Sequence, residues 1–250
     1  MRENSPSVYL YGSVVLGDFR LGWSDIDMVV LTQSQLSESQ AERLVGLRQK
    51  LLEEEPKNPY FRSFEGGMLT LDAFLRGEKD RVVYWGTSGQ RITDAYRFDS
   101  FSMTELIENG VLLAGQDVRE QLKRPSFDAL YSDVARHYET IRKYVQKTDR
   151  SLYSYGWLLD ISRCIYTLRT GKIIAKTAAG EWALKEGLCP VEKSLKKAIE
   201  VRYNAETLKN DSKILDFAES LGGDVQAYAD ILEKELRSAS VNKRTIISEM

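Results

Sequence analysis

The sequence is poor in the residues on which several kinds of enzyme depend. Its 250 residues contain a single histidine, His137, and two cysteines, Cys164 and Cys189. One histidine argues against a serine–histidine–aspartate triad and against a histidine-based zinc site, and in mid-helix we expect it to be structural. Two cysteines without a CxxC spacing provide no disulfide framework and fit a reducing compartment.

The chain also lacks long apolar runs and a surplus of charge. No apolar stretch approaches the roughly 20 residues of a membrane span, and the first segment, MRENSPS, has no apolar region typical of a signal peptide. A formal net charge of −2, with 29% charged residues, gives no sign of nucleic-acid or membrane binding. We expect a cytoplasmic protein of one large or two modest domains.

Residues 8–32, VYLYGSVVLGDFRLGWSDIDMVVLT, contain a group of polar residues between apolar segments. The pattern predicts a strand, a turn at Gly12 and Ser13, and a second strand that opens with Asp25 and Asp27. Side chains alternate along a strand, so the two carboxylates share one face. Two close carboxylates favour a divalent metal, and Mg²⁺ prefers such oxygen ligands together with substrate phosphates.

The Gly12-Ser13 turn adds a phosphate-binding element to these carboxylates. Gly12 lets the backbone approach a ligand closely. Ser13 can open a short helix, whose free N–H groups and positive dipole end suit a phosphate. A phosphate cradle beside metal-binding carboxylates predicts a site that handles a nucleotide.

Two segments carry a family resemblance. Gly12-Ser13, eleven intervening residues and Asp25-Ile26-Asp27 resemble the signature of the DNA polymerase beta-like nucleotidyltransferases, and LYGS…SDID is similar to their aminoglycoside adenylyltransferase branch. Residues 158–184, LLDISRCIYTLRTGKIIAKTAAGEWAL, resemble the C-terminal helical domain of streptomycin/spectinomycin-type adenylyltransferases. The resemblance implies an α/β domain with a mixed sheet, then an all-α helical bundle, with the active site in the cleft between them.

The pattern of apolar and polar residues changes near Lys123, and this change predicts two domains. Before it, short apolar segments are interleaved with polar turns; beyond it, the sequence has the periodicity of amphipathic helices. We therefore expect a nucleotidyltransferase domain over residues 1–120 and a helical C-terminal domain over residues 121–250. The family usually carries a helix ahead of the first strand, and none precedes it here. A partner subunit, as in a homodimer, would cover that side of the sheet.

The resemblance implies a third carboxylate on a neighbouring strand, which completes the metal site or deprotonates the attacking hydroxyl. We interpret residues 60–75, YFRSFEGGMLTLDAFL, as that strand, and it offers Glu65 and Asp72. An extended strand would separate them by about 23 Å, so both cannot serve one site. We favour Glu65, because family members have a glutamate early in this strand, and keep Asp72 as the alternative.

The resemblance also implies nucleotide and acceptor sites. ATP would place its triphosphate at Gly12 and Ser13, and further positive charge is required. The candidate cations, any of which could instead be a solvated surface residue, are Arg20, Lys176, Lys197 and Arg202. Glu181 would hold a cationic acceptor by charge-assisted hydrogen bonds, or else stabilise the start of a helix. Trp85 would line the acceptor pocket, or else belong to the core.

The function that the resemblance implies is transfer of AMP from ATP to a hydroxyl of an aminoglycoside or aminocyclitol antibiotic, with release of pyrophosphate. Asp25, Asp27 and Glu65 would be the catalytic residues and the ligands of two Mg²⁺ ions. The acceptor stays open, because fold and catalytic residues do not determine it. A different small-molecule or protein acceptor, or a non-catalytic, antitoxin-like relative, are the alternatives, and a nucleic-acid polymerase is disfavoured for want of a basic groove.

Overall fold

The computed structural model describes residues 6–87, 89–94 and 96–248, the last eight of them by backbone alone. The chain divides into two compact units, Met1–Arg124 and Pro125–Met250. No helix in the described ranges is both long and apolar enough to cross a membrane.

The first unit is built on a mixed sheet, as predicted. Its strands in the described part of the chain are β1 (Ser7–Leu10), β2 (Ile26–Thr32), β3 (Phe64–Thr70), β4 (Val82–Gly86), β5 (Gly89–Thr93) and β6 (Val111–Ala114), in the order β5-β4-β3-β2-β1-β6. β2 and β3 are parallel, whereas the other neighbouring pairs are antiparallel. The parallel pair is central, so its side chains are covered on both faces of the sheet.

Three α-helices in the described part of the first unit cover the two faces of this sheet: α1 (Glu38–Glu54), α2 (Leu71–Arg76) and α3 (Ser100–Asn109). Ser37 starts α1 through a capping box with Gln40. On the α1 face, Met28 and Trp85 are buried with Leu44. On the opposite face, residues of β1 and β2 are buried with residues of α2 and α3. Asp27 has the same parity along β2 as Val29, so it lies on this second face.

The interpretation of residues 60–75 as one strand is wrong at both ends, because residues 60–63 form turns and β3 begins only at Phe64. β3 stops at Thr70, whose side chain accepts a hydrogen bond from the Ala73 N–H at 3.2 Å and thereby caps α2. Asp72 lies in the first turn of that helix, exposed, and pairs with Arg76 at 2.8 Å. This removes the alternative third carboxylate, because Asp72 is no longer part of a strand beside Asp27.

The second unit is helical, as predicted. Its helices, within the described residues, are α4 (Phe127–Tyr144), α5 (Tyr153–Thr170), α6 (Lys176–Lys185), α7 (Glu192–Tyr203), α8 (Ala205–Leu208), α9 (Ser212–Glu219) and α10 (Gly222–Ser248). α5 is the buried centre and packs against α4, α6, α7 and α10. Gly180 lets α6 approach α5 closely, because a Cβ there would lie 2.8 Å from a methyl of Leu159. The unit thus has one apolar core around α5.

Candidate active site

The carboxylates of the predicted site are brought together by the register of two parallel strands. Asp27 of β2 and Glu65 of β3 are register partners, so they lie side by side on one face of the sheet. Asp25 immediately precedes β2 and has the same parity as Asp27. All three residues are partly buried. The local sequence places Asp25 with Asp27, and the strand pairing adds Glu65.

The Gly12-Ser13 turn packs directly against these carboxylates. Gly12 has φ of 69°, and a Cβ on it would lie 2.1 Å from Oδ2 of Asp27. Ser13 donates its hydroxyl to the backbone oxygen of Asp25 at 3.3 Å, and the Tyr11 N–H donates to the backbone oxygen of Asp27 at 3.1 Å. The segment after Ser13 forms turns up to Gly17 and no regular helix. Only glycine at position 12 combines this backbone conformation with so close an approach.

A polar pocket of about 320 Å³ opens above the two strands. Asp27 and Glu65 form part of its lining, and Asp99, the N-cap of α3, adds a further carboxylate. Its other charged and phenolic side chains are Tyr11, Tyr84, Tyr96, Arg91 and Arg97. Both arginines are exposed. The pocket therefore combines the predicted carboxylates with tyrosines and arginines that the sequence reading did not single out.

Tyr84 is the direct partner of Glu65. Its hydroxyl donates a hydrogen bond to Oε1 of Glu65 at 2.5 Å. The guanidinium of Arg91, its register partner on β5, lies 4.4 Å from the centre of the Tyr84 ring. Burial raises the pKa of Tyr84 to about 12, and the hydrogen bond to Glu65 acts in the same direction. The phenol therefore stays protonated near neutral pH and remains a donor.

Tyr96 and Tyr11 form a second phenol pair in the pocket. A hydrogen bond joins their hydroxyls, and burial raises the pKa of both above the ordinary value. Tyr96 lies directly over Gly67, where a Cβ would be 2.6 Å from its ring. The second glycine of the Gly66-Gly67 pair thus makes room for a ring of the pocket wall.

Buried Arg48 of α1, on the opposite face of the sheet, contacts the backbone at the end of β4 and just before β3. Its guanidinium donates to the backbone oxygens of Gly86 at 2.8 Å and Arg62 at 3.0 Å. Burial lowers its pKa, and the charges of Glu65 and Asp25 oppose that change. Arg48 therefore ties the end of β4 to the loop before β3, close enough to the carboxylates to interact with them electrostatically.

The fit of these residues to Mg²⁺ can be judged from their arrangement. Among the described residues, no three histidine, cysteine, aspartate or glutamate side chains converge as a ready-made metal site. A preformed three-carboxylate cage is thus not found, and one oxygen of Glu65 is engaged by Tyr84. Mg²⁺ in nucleotide enzymes is commonly held by one or two carboxylates plus substrate phosphates. Asp25 and Asp27, on one face beside the Gly12 turn, fit that mode, and Glu65 as a metal ligand stays a prediction.

Trp85, expected to line the acceptor pocket or else belong to the core, lies in the core. It pairs with Gly66 on the face opposite Asp27 and Glu65, is 8% exposed and belongs to the core beneath α1. Its indole N–H donates to the backbone oxygen of Leu44 at 3.2 Å. Tyr84, one residue earlier, faces the pocket instead. The pair Tyr84-Trp85 indicates that one ring points to each face, but only strand register decides which.

Lys176 lies in a partly buried charge cluster of the second unit. Its ammonium contacts Asp160 at 2.9 Å, and Arg163 approaches the same carboxylate at 3.6 Å. Burial would raise the pKa of Asp160, but the charges of Lys176, Arg163 and His137 outweigh it and hold the value at about 2. Sequence reasoning missed Asp160, although its i,i+3 spacing to Arg163 on one helix was a signal.

The other predicted phosphate-binding residues, Lys197, Arg20 and Arg202, differ in their partners and in their burial. Lys197 is paired with Glu200 at 2.7 Å, and Arg20 with Asp18 at 3.6 Å. Arg202 is 3% exposed and donates from Nε to the Thr177 hydroxyl at 3.1 Å. The phosphate-binding prediction for Arg202 therefore does not fit, because a buried guanidinium in the α6–α7 interface has little surface to offer a phosphate.

Glu181 is exposed on α6 and accepts a hydrogen bond from the Tyr203 hydroxyl at 2.7 Å. Its carboxylate is therefore accessible at the surface of the second unit. Its assignment to the acceptor stays a prediction.

Comparison with known proteins adds three findings. Residues 123–222 match the family model of the aminoglycoside adenylyltransferase C-terminal domain, and residues 2–66 match that of a nucleotidyltransferase domain. The chain is also similar to the crystal structure of a spectinomycin adenyltransferase from Enterococcus faecialis with ATP and spectinomycin, at 15% identity over 93% of each chain with a TM-score of 0.62. No curated protein matches the chain. The nucleotidyltransferase match spans Gly12, Asp25, Asp27 and Glu65.

Proposed function

We infer that this chain belongs to the aminoglycoside adenylyltransferase family, because it joins a segment that matches a nucleotidyltransferase domain to one that matches that family's C-terminal domain. We propose that it transfers AMP from ATP to a hydroxyl of an aminoglycoside or aminocyclitol. The reaction would release pyrophosphate and inactivate an antibiotic. The single observation that carries the proposal is the pairing of Asp27 with Glu65 beneath the Gly12-Ser13 turn, in a pocket of about 320 Å³. We also propose a cytoplasmic location for the protein, because ATP is abundant there.

The chain's own residues have distinct parts in this reaction. Asp25 and Asp27 would hold Mg²⁺, for which we propose two ions. When bound, the metal neutralises charge on the phosphates and polarises the reacting oxygens. The turn at Gly12 and Ser13 would receive the triphosphate. The oxygen of the acceptor hydroxyl would attack the α-phosphorus in line with the pyrophosphate leaving group, and Glu65 would take the proton of that hydroxyl.

Charged side chains are assigned to the charged groups of the substrates in this proposal. The triphosphate needs cations beyond the metal, and we assign that part to Arg20, Lys176 and Lys197, which are less buried than Arg202. Glu181 would bind an ammonium group of the acceptor. The neighbour solved with ATP and spectinomycin supports ATP as donor and a cationic aminocyclitol as acceptor.

A second candidate acceptor class is favoured by one feature of the pocket. Arg91 and Arg97 line it together with the carboxylates. A polycation would meet two like charges there, whereas a neutral or anionic hydroxyl compound would not. The same AMP transfer to such an acceptor is therefore the alternative.

The experiment that tests both is pyrophosphate release from ATP and Mg²⁺ by the purified protein. The acceptor panel contains spectinomycin, streptomycin, other aminoglycosides and neutral or anionic polyols, with Asp27→Asn as the inactive control. Release with an aminoglycoside or aminocyclitol, absent with ATP alone and absent in Asp27→Asn, supports the first candidate. Release only with neutral or anionic acceptors replaces it by the second, and full activity in Asp27→Asn overturns the carboxylate assignment.

A further inference from the structure

Tyr84 lies on the same face of the sheet as the candidate base, Glu65. It pairs with Gly67 across β3 and β4, two residues along from Glu65. Register partners and residues two apart share a face, so the phenol can reach the Glu65 carboxylate. It does so with a hydrogen bond of 2.5 Å from its hydroxyl to Oε1. One oxygen of the predicted base is thereby held, and Oε2 is not used by this contact.

Two neighbours hold the phenol itself in place. The Arg91 guanidinium lies 4.4 Å from the ring centre, a distance typical of a cation–π contact. On the same strand, Gly86 leaves the space that the phenol occupies, because a Cβ there would lie 2.3 Å from the Tyr84 hydroxyl oxygen. The phenol can therefore occupy this position only because residue 86 has no side chain.

A contact of this kind restricts the orientation of a glutamate side chain that acts as a base. That side chain has three rotatable torsions, and catalysis requires its oxygen to be placed to within about 0.5 Å. We propose that Tyr84, supported by Arg91 and accommodated by Gly86, is a positioning residue that orients the Glu65 carboxylate toward the acceptor hydroxyl. This inference rests on the proposed function, in which Glu65 accepts the acceptor's proton.

The kinetic test uses two variants that act on the same contact from different sides. Tyr84→Phe removes the hydrogen bond, and Gly86→Ala displaces the phenol while leaving Tyr84 and Glu65 intact. Gly86 does not have a positive φ, so alanine brings no backbone strain of that kind. Both variants should lower kcat by about 10- to 100-fold, while the KM for ATP stays within about twofold. Tyr60→Phe, an exposed tyrosine of the same unit, is the matched control and should keep wild-type kcat.

Two further measurements do not depend on turnover. In protein labelled with ¹³C at tyrosine Cζ, the Tyr84 resonance is assigned by its loss in Tyr84→Phe. It should shift in Glu65→Gln and in Gly86→Ala, whereas the Tyr60 resonance should not. Affinity for a non-hydrolysable ATP analogue, measured by calorimetry, should be equal in wild type, Tyr84→Phe and Gly86→Ala.

The outcomes separate this inference from the function on which it rests. A fall in kcat alone in both variants, together with the resonance shifts, supports the positioning role. An active enzyme whose kcat is unchanged in Tyr84→Phe overturns it, as does a Tyr84 resonance that is insensitive to Glu65→Gln. Absence of transfer by the wild type to every acceptor, with the resonance shifts present, overturns the proposed function and with it a role for the contact in that reaction.

Discussion

Replacing Gly12 by alanine should separate backbone strain from damage to the carboxylate site. Gly12 has φ of 69°, which costs a residue with a Cβ about 1–2 kcal/mol. The new methyl would also stand 2.1 Å from Oδ2 of Asp27, whereas real Cβ contacts need more than about 3.0 Å. Since Gly12 is held by its turn, the Asp27 carboxylate would have to move by about 1 Å. Misplacement of that size can cost roughly 100-fold in rate.

Gly17 provides the matched control for this prediction. It belongs to the same turn segment and has φ of 68°, but a Cβ on it meets no atom within 4 Å. Gly17→Ala should therefore lose about 1–2 kcal/mol of stability and keep wild-type kcat. Gly12→Ala should lose at least as much stability and about 100-fold in kcat.

The assay combines chemical denaturation with pyrophosphate release for the two variants and the wild type. The comparison of interest is the difference between Gly12→Ala and Gly17→Ala, in which the shared cost of positive φ cancels. Equal kcat in the two alanine variants would refute the reasoning, because it would mean that Asp27 can move without consequence for the reaction.

Three further predictions concern single residues. Glu65→Gln should lower turnover far more than ATP affinity, and Asp72→Asn should alter neither, since Asp72 is an exposed helix residue paired with Arg76; the reverse result in steady-state kinetics would reinstate Asp72 as the third carboxylate. Trp85→Phe should lose about 1–3 kcal/mol in denaturant unfolding, through its bond to Leu44, without changing the acceptor KM; a raised KM would restore its acceptor role. Asp160 has a folded pKa of about 2, below its unfolded value, so its contribution of about 2 kcal/mol is present above pH 4 and is lost as pH falls toward 2. Unfolding of Asp160→Asn should lack this acid dependence, and an unchanged pH profile would contradict the pairing.

Much of the candidate site could be predicted because it depends on local geometry. Asp25 and Asp27 share a face through the two-residue period of a strand, and Gly12 marks a turn that needs a positive φ. The helical second unit followed from the spacing of its apolar residues, which reports the 3.6-residue turn directly. These features require no knowledge of which segments meet in space.

The third carboxylate and the aromatic wall depended on pairing between segments distant in sequence. Glu65 is adjacent to Asp27 because β2 and β3 pair in one particular parallel register, and Tyr84 rather than Trp85 faces the pocket for the same reason. A shift of one residue in the pairing register would exchange the two faces of a strand, and the sequence of either strand alone does not determine that register.

The sequence by itself determined the carboxylate pair, the glycine turn and the two kinds of secondary structure along the chain. Only the tertiary structure decided that β3 ends at Thr70, that Glu65 has a phenol partner in Tyr84, and that Trp85 and Arg202 are buried. The physical reason is the range of the interactions. Turn conformation and side-chain alternation arise within a few residues, whereas burial and strand register arise from contacts between segments far apart in the chain.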